Sequence, residues 1–237
     1  MAEQQASVVS SPATTFNAKL LELGPKLAVF DCDGTLWEGD GGQDFLFWEA
    51  RRGLISKAVA DWALLRYAEY KLGKVDERTM CGEMVTLHAG IPVAEIESAA
   101  ELFVEGEIEK RIFPAMKRLV NALATQGCEI WAVSSTNNWV IEAGVRRFGI
   151  PKERVLAASV VCENGIATDR LIRVPTDEGK AAAITDVIQR VPDAVFGNSI
   201  HDAAMLEMAK HAFAINPNPD LFNLAHRRGW PIYQPTT

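Results

Sequence analysis

KLAVFDCDGT (26–35) is an apolar run that ends on two carboxylates one residue apart, followed at once by a glycine and a threonine. The apolar part has the length and composition of a parallel strand buried on both faces. Asp31 closes that strand, and Asp33 has the same side-chain parity, so both carboxylates can face one site. Gly34 permits a backbone turn there, and the Thr35 hydroxyl can fasten it. Like charges this close repel each other. A magnesium ion resolves the conflict, because it takes oxygen ligands and keeps waters that a phosphate can replace. Held ionised, Asp31 can attack phosphorus as a nucleophile, and Asp33 can hand a proton to the leaving alcohol. A D-x-D after an apolar run is also a common turn or helix cap, so the other strand ends must decide.

Three similar runs come much later: CEIWAVS (128–134), DAVFG (193–197) and HAFAIN (211–216). Helical patterns lie between them. PAMKRLVNALATQG (114–127) starts on proline, repeats apolar Met116, Leu119, Val120 and Leu123, and stops at Gly127. GKAAAITDVIQRV (179–191) and DAAMLEMAKH (202–211) are similarly amphipathic. Alternating strands and helices predict an α/β fold with a doubly wound, Rossmann-like parallel sheet, whose ligands sit beyond the carboxyl ends of the strands. VLAASVVCENGIATDRLIRVP (155–175) carries the turn signal ENG between strand-like runs and reads as a hairpin.

Between the first strand and the second, the segments 55–73, 76–90 and 93–106 read as helices, each ending at a glycine. The expected organisation is therefore a loose N-terminal tail over 1–24, a catalytic core over 25–37 and 112–237, and a helical cap domain over 38–111. The 237 residues, 48% of them hydrophobic and 23% charged, suit one sizeable globular unit with such an insert. A net charge of −7 with no basic stripe argues against nucleic-acid binding. The four cysteines are scattered, and no apolar run is long enough to cross a bilayer. With no signal-peptide pattern, the expected location is the reducing cytoplasm, with no membrane partner, as a monomer or homodimer.

Ser134 ends its strand and precedes Ser135, Thr136 and two asparagines, a set of hydroxyls and amides near a helix start, where phosphate binds readily. A plain helix cap is the simpler reading of Ser134 alone. Lys180 opens a helix, against the dipole, which suggests a fixed anionic partner rather than a solvated surface lysine. Asn198 lies just past an apolar strand, and Asp202 follows at a helix start, where it can cap and ligate together.

DCDGT, Ser134, Lys180 and GNSIHDAAML (197–206) occur in the order found in the haloacid dehalogenase superfamily, and the chain resembles its phosphoserine-phosphatase-like branch from residue 26 to about 217. The resemblance implies a magnesium-dependent phosphomonoesterase that works through an aspartyl-phosphate on a small phosphorylated metabolite. It matches Asp31 to the nucleophile and Asp33 to the general acid/base. It also matches Ser134, with Ser135 beside it, and Lys180 to the phosphate-binding pair, and Asp31, the Asp33 carbonyl, Asn198 and Asp202 to the metal site.

Two departures shape the expectations. Many relatives have aspartate at the place of Asn198, so Asp202 is expected to carry more of the metal binding. In the insert, Asp40 falls where phosphoserine phosphatases carry an acidic residue, with Glu38, Gln43 and Asp44 as further candidates for contacting substrate. Met84 stands where those enzymes have an arginine, with Arg78 nearby. A substrate carboxylate would then go unpaired, so esters without one are favoured over phosphoserine. The aromatic residues Trp37, Phe45, Phe47, Trp48 and Trp62 are read as helix core ahead of an aromatic cage for a cationic headgroup. Cys32 is read as core, His88 as helix surface and His201 as site rim. The competing functions are a phosphotransferase to an acceptor alcohol and a phosphate-sensing module without turnover.

Overall fold

The computed structural model describes residues 13–237. Seven strands form one sheet in the order β4-β3-β2-β1-β5-β6-β7. Its central strand is β1 (Leu27–Phe30), with β2 (Glu129–Asn137) on one side and β5 (Ala194–Gly197) on the other, both parallel to it. β3 (Val155–Glu163) continues one wing, and β6 (His211–Ile215) and β7 (Ile232–Tyr233) continue the other, all parallel. The chain reverses its direction of winding at β1, which places the topological switch point directly beyond Phe30. Ala28 and Phe30 enter the larger core on one face of the sheet, Leu27 and Val29 the smaller core on the other. Cys32 is fully buried in the larger core, as read.

The expected hairpin is present: β4 (Ile166–Arg173) pairs antiparallel with β3 and forms the sheet edge. Asn164 (φ 52°) and Gly165 (φ 77°) both take left-handed conformations, as a two-residue hairpin turn of this twist demands. β2 differs from its expected end. It runs three residues past Ser134, and its register with β3 shifts between Val133 and Asn137. Such an irregularity re-aims side chains, and Ser134, Ser135 and Thr136 all reach the cavity described below.

The tail expectation needs correction where it is covered. Ala13–Glu22 form helix α1, with Phe16 and Leu20 buried. Phe16 stacks on Tyr233 at 4.5 Å and meets Phe213 edge-on at 5.7 Å. Residues 1–12 of the expected tail lie outside the described residues. The threonines and asparagine of this stretch are weak helix formers, so tertiary packing stabilises α1 more than propensity does.

Five α-helices lie between β1 and β2: α2 (Gly41–Arg52), α3 (Lys57–Lys71), α4 (Glu77–Thr86) and α5 (Val93–Phe103) in the insert, then α6 (Pro114–Thr125) of the core. Phe45, Trp48 and Phe103 pack together, with Phe45 and Trp48 at 5.2 and 6.0 Å from Phe103, so these aromatics are core. Trp62 is not; it is 45% exposed. His88 also departs from its expected surface position. It is fully buried against Trp139, and its Nε2 lies 2.8 Å from Glu49 Oε2. Burial pushes the Glu49 carboxyl above its ordinary range, and the bond to His88 opposes that shift. His88→Ala leaves a buried carboxyl without its partner and should destabilise by about 2–3 kcal/mol. Thermal melting should then drop by roughly 5–10 °C.

Candidate active site

The strand ends around the switch point and the insert helices enclose a cavity of about 200 Å³. Asp31 lies at its floor, and its two oxygens are used separately. Oδ1 accepts from Lys180 Nζ at 2.7 Å, and Oδ2 accepts from the Thr35 hydroxyl at 2.9 Å. Thr35 therefore fixes the rotamer of the carboxylate as well as the turn. Burial first, then the charge of Asp202, raises the Asp31 carboxyl to about 7, with Lys180 opposing.

Asp33 is held from three elements. Its Oδ1 accepts from Trp37 Nε1 and from the Gly41 N–H, each at 2.7 Å, and its Oδ2 accepts from the Thr136 hydroxyl at 2.7 Å. Burial raises this carboxyl too, against those hydrogen bonds. A Cβ at Gly41 would lie 2.7 Å from Asp33 Oδ1, and one at Gly42 would lie 2.9 Å from Thr136 Oγ1. Only glycines let the start of α2 close on Asp33 this tightly.

Lys180 belongs to the short helix Glu178–Ala183 and is 2% exposed. Its ammonium donates to Asp31 and, at 2.5 Å, to Asp202 Oδ1. Burial works against the charge, but Asp202 and Asp31 hold it above the usual lysine range. Asp202 is fully buried behind the cavity wall, and its Oδ2 accepts from the N–H groups of Asn198 and Ser199 at 2.8 and 2.9 Å. Asn198 and Ser199 themselves line the cavity, as do Ser134 and Ser135. Ser134 Oγ accepts from the Thr136 N–H at 3.1 Å.

With Asp31, Asp33 and Asp202 all ionised, three carboxylates against one ammonium would leave this cluster two negative charges in excess. A divalent cation offsets that excess, and carboxylate and amide oxygens are the ligands a magnesium ion takes. Among the described residues no three carboxylate, imidazole or thiol side chains converge as a closed metal cage. An open site, completed by backbone and water oxygens, is what magnesium prefers. The residues present therefore fit the ion.

The insert contributes the other half of the cavity. Asp40 caps α2 by accepting from the Gln43 N–H at 2.9 Å. Its carboxyl reaches solvent through the cavity while protein encloses it, and that desolvation, then the charge of Asp33, raises it to about 6. Gln43 Oε1 accepts from the Tyr67 hydroxyl at 2.5 Å, and Glu77 accepts from the Tyr70 hydroxyl. His201 stands at the rim as read, with Nδ1 2.7 Å from Asp177 Oδ1 and Nε2 3.9 Å from Glu77. Met84 lines the cavity, whereas Arg78 is exposed and outside its wall. The sequence pattern places Thr136 among the phosphate-site hydroxyls and not on Asp33, and it does not single out Tyr67, Tyr70 or Glu77. The spacing of Tyr67 and Tyr70 puts both on one face of α3, a signal equally consistent with core packing.

A phosphoserine phosphatase of Mycobacterium tuberculosis is 27% identical to this chain over 220 residues, covering 86% of this chain and 69% of the relative. A histidinol-phosphatase of Neisseria meningitidis is 24% identical over 217 residues, covering 87% and 97%. The solved structure of a protein of unknown function from Bordetella pertussis superposes with a TM-score of 0.76 at 22% identity, over 87% of this chain and 97% of that one. A phosphoserine phosphatase solved as a phospho-aspartyl intermediate analogue gives 0.59 at 17%, over 88% and 92%. These two structures share the fold. Residues 28–207, the span from β1 through the loop that holds Asn198 and Asp202, match the family model of haloacid dehalogenase-like hydrolases, and the chain belongs to that family.

Proposed function

We propose that this hydrolase is a magnesium-dependent phosphatase of small phosphomonoesters that works through an aspartyl-phosphate on Asp31. The observation that carries the reading is the shared grip of Lys180 on Asp31 and Asp202, directly beside the triply bonded Asp33. In the first step an Asp31 oxygen forms the bond to phosphorus as the ester P–O bond breaks, and Asp33 gives its proton to the leaving alkoxide. In the second, water attacks the aspartyl-phosphate, Asp33 takes a proton from it, and Asp31 is released with inorganic phosphate. Thr35 and Lys180 orient the nucleophile, while Ser134 and Ser135 offer hydroxyl donors to the phosphate oxygens. Asp31, the Asp33 carbonyl and Asn198 would hold magnesium, which supplies positive charge against the phosphoryl group. The relatives' names specify phosphoserine and histidinol phosphate, both monoesters of alcohols that also carry an amine, and a small ester of that kind suits the cavity.

The test is hydrolysis of p-nitrophenyl phosphate with magnesium, with EDTA, and with magnesium plus glycerol. Phosphate release that requires magnesium supports the reading, phosphoglycerol as main product identifies a phosphotransferase, and no turnover overturns it. Asp33→Asn should slow an alkyl phosphate by about 100-fold or more but p-nitrophenyl phosphate much less, since p-nitrophenolate leaves without a proton. Equal losses on both substrates would remove Asp33 from the acid role. Charge alone ranks Asp202 above Asn198 in metal binding; the engagement of both Asp202 oxygens behind the wall supports the opposite order. Asn198→Ala should therefore raise the magnesium concentration for half-maximal activity by about tenfold, more than a loss at Asp202 does.

A further inference from the structure

The insert half of the cavity has no part in the chemistry above, yet its charge is one-sided. Asp40 and Glu77 line it; among the described residues the cavity's one ammonium, Lys180, is held by two carboxylates, and its one imidazole, His201, lies against Asp177. No arginine reaches the wall among the described residues.

Glu77 is also held in place. The Tyr70 hydroxyl donates to its Oε2, Cys81 Sγ lies 3.5 Å from its Oε1, and its side chain keeps 16% exposure. The Tyr67 hydroxyl is spent in the same way on Gln43. Both tyrosines are thus fixed with their donors turned onto protein acceptors, and their rings complete the wall around the two carboxylates. A substrate carboxylate placed here would meet two like charges, and the cavity's one ammonium is already held by Asp31 and Asp202. An ammonium would meet two acceptors and two aromatic rings.

We propose that this half of the cavity binds the protonated amine of an amino-alcohol phosphate monoester that carries no carboxylate. Glu77 and Asp40 are the counter-charges, and Tyr67 and Tyr70 are the flanking rings. The inference rests on the phosphatase reading and adds the substrate's chemical class. Met84 adds an apolar side chain to the same wall, with no donor for a carboxylate.

The decisive comparison uses phosphoethanolamine and n-propyl phosphate, which match in shape and differ in one ammonium. kcat/KM measures the discrimination directly. With magnesium at pH 7.5, phosphoethanolamine should exceed propyl phosphate by about tenfold or more, and L-phosphoserine should fall below phosphoethanolamine. Glu77→Gln should reduce the phosphoethanolamine-to-propyl ratio by about fivefold or more, as should Tyr70→Phe to a smaller extent. The wild-type ratio stands even if a variant fails to fold. Equal rates on the matched pair, or a preference for phosphoserine, would overturn the subsite while p-nitrophenyl phosphate is still turned over. No turnover of any ester, p-nitrophenyl phosphate included, would instead overturn the phosphatase reading and this inference with it.

Discussion

Asp31→Asn should lower turnover of every phosphomonoester by about 10,000-fold or more, because the proposed mechanism forms its aspartyl-phosphate on this carboxylate. The same variant should melt no lower than the wild type in magnesium-free buffer at pH 8. The two results have one cause. Asp31 is buried beside Asp202, and its carboxyl is raised to about 7. A carboxyl whose folded pKa lies above its unfolded value contributes stability at low pH and loses it as pH rises through the folded value. Above about 7 the wild type therefore holds an ionised Asp31 that opposes folding, and asparagine removes that charge while keeping an oxygen for Thr35. Stability and activity are in conflict at this residue, as at many active sites. The paired readout matters, since an inactive variant that also unfolds would say nothing about the nucleophile. A well-folded variant with near-normal activity would take Asp31 out of that role.

The strand ends were legible because each couples a hydrophobic run to a polar residue within a few positions. KLAVF leads to Asp31 and DAVFG leads to Asn198, and the sheet places both ends at one switch point. Lys180 was legible for a different reason: an ammonium at a helix start conflicts with the dipole, and the conflict points to a partner. What escaped is whatever depends on packing between distant segments. His88 and Glu49 are 39 residues apart, and neither neighbourhood announces a buried pair. Thr136 reaches Asp33 only because β2 slips its register beyond Val133. Phe16 and Leu20 look like stray apolar residues in a polar tail until the C-terminal strand supplies Tyr233. Glu77 and Tyr70 meet through the turn between α3 and α4, a contact that neither helix's periodicity encodes.

Lys180→Met should produce the largest loss of stability of any single substitution at the site. The lysine is 2% exposed and bonds two carboxylates that are themselves buried. Removing it strands Asp31 and Asp202 as unpaired like charges, a loss of about 3–5 kcal/mol where a buried pair is broken from one side. Activity should fall as well, by about 100-fold or more, since the cation beside the phosphoryl position is gone. The pH dependence separates this explanation from simple loss of packing. Lys180 is charged throughout the neutral range, so what it contributes depends on whether its partners are ionised. In magnesium-free buffer Asp31 is largely protonated at pH 5 and largely ionised at pH 8. The deficit of Lys180→Met relative to wild type should therefore be larger at pH 8 than at pH 5. Adding Asp202→Asn to the lysine variant should recover part of the lost stability, because one of the two stranded charges is removed; if the double variant is instead less stable than the single by the full effect of Asp202→Asn in the wild type, the two residues act independently and the shared grip is not what stabilises the site.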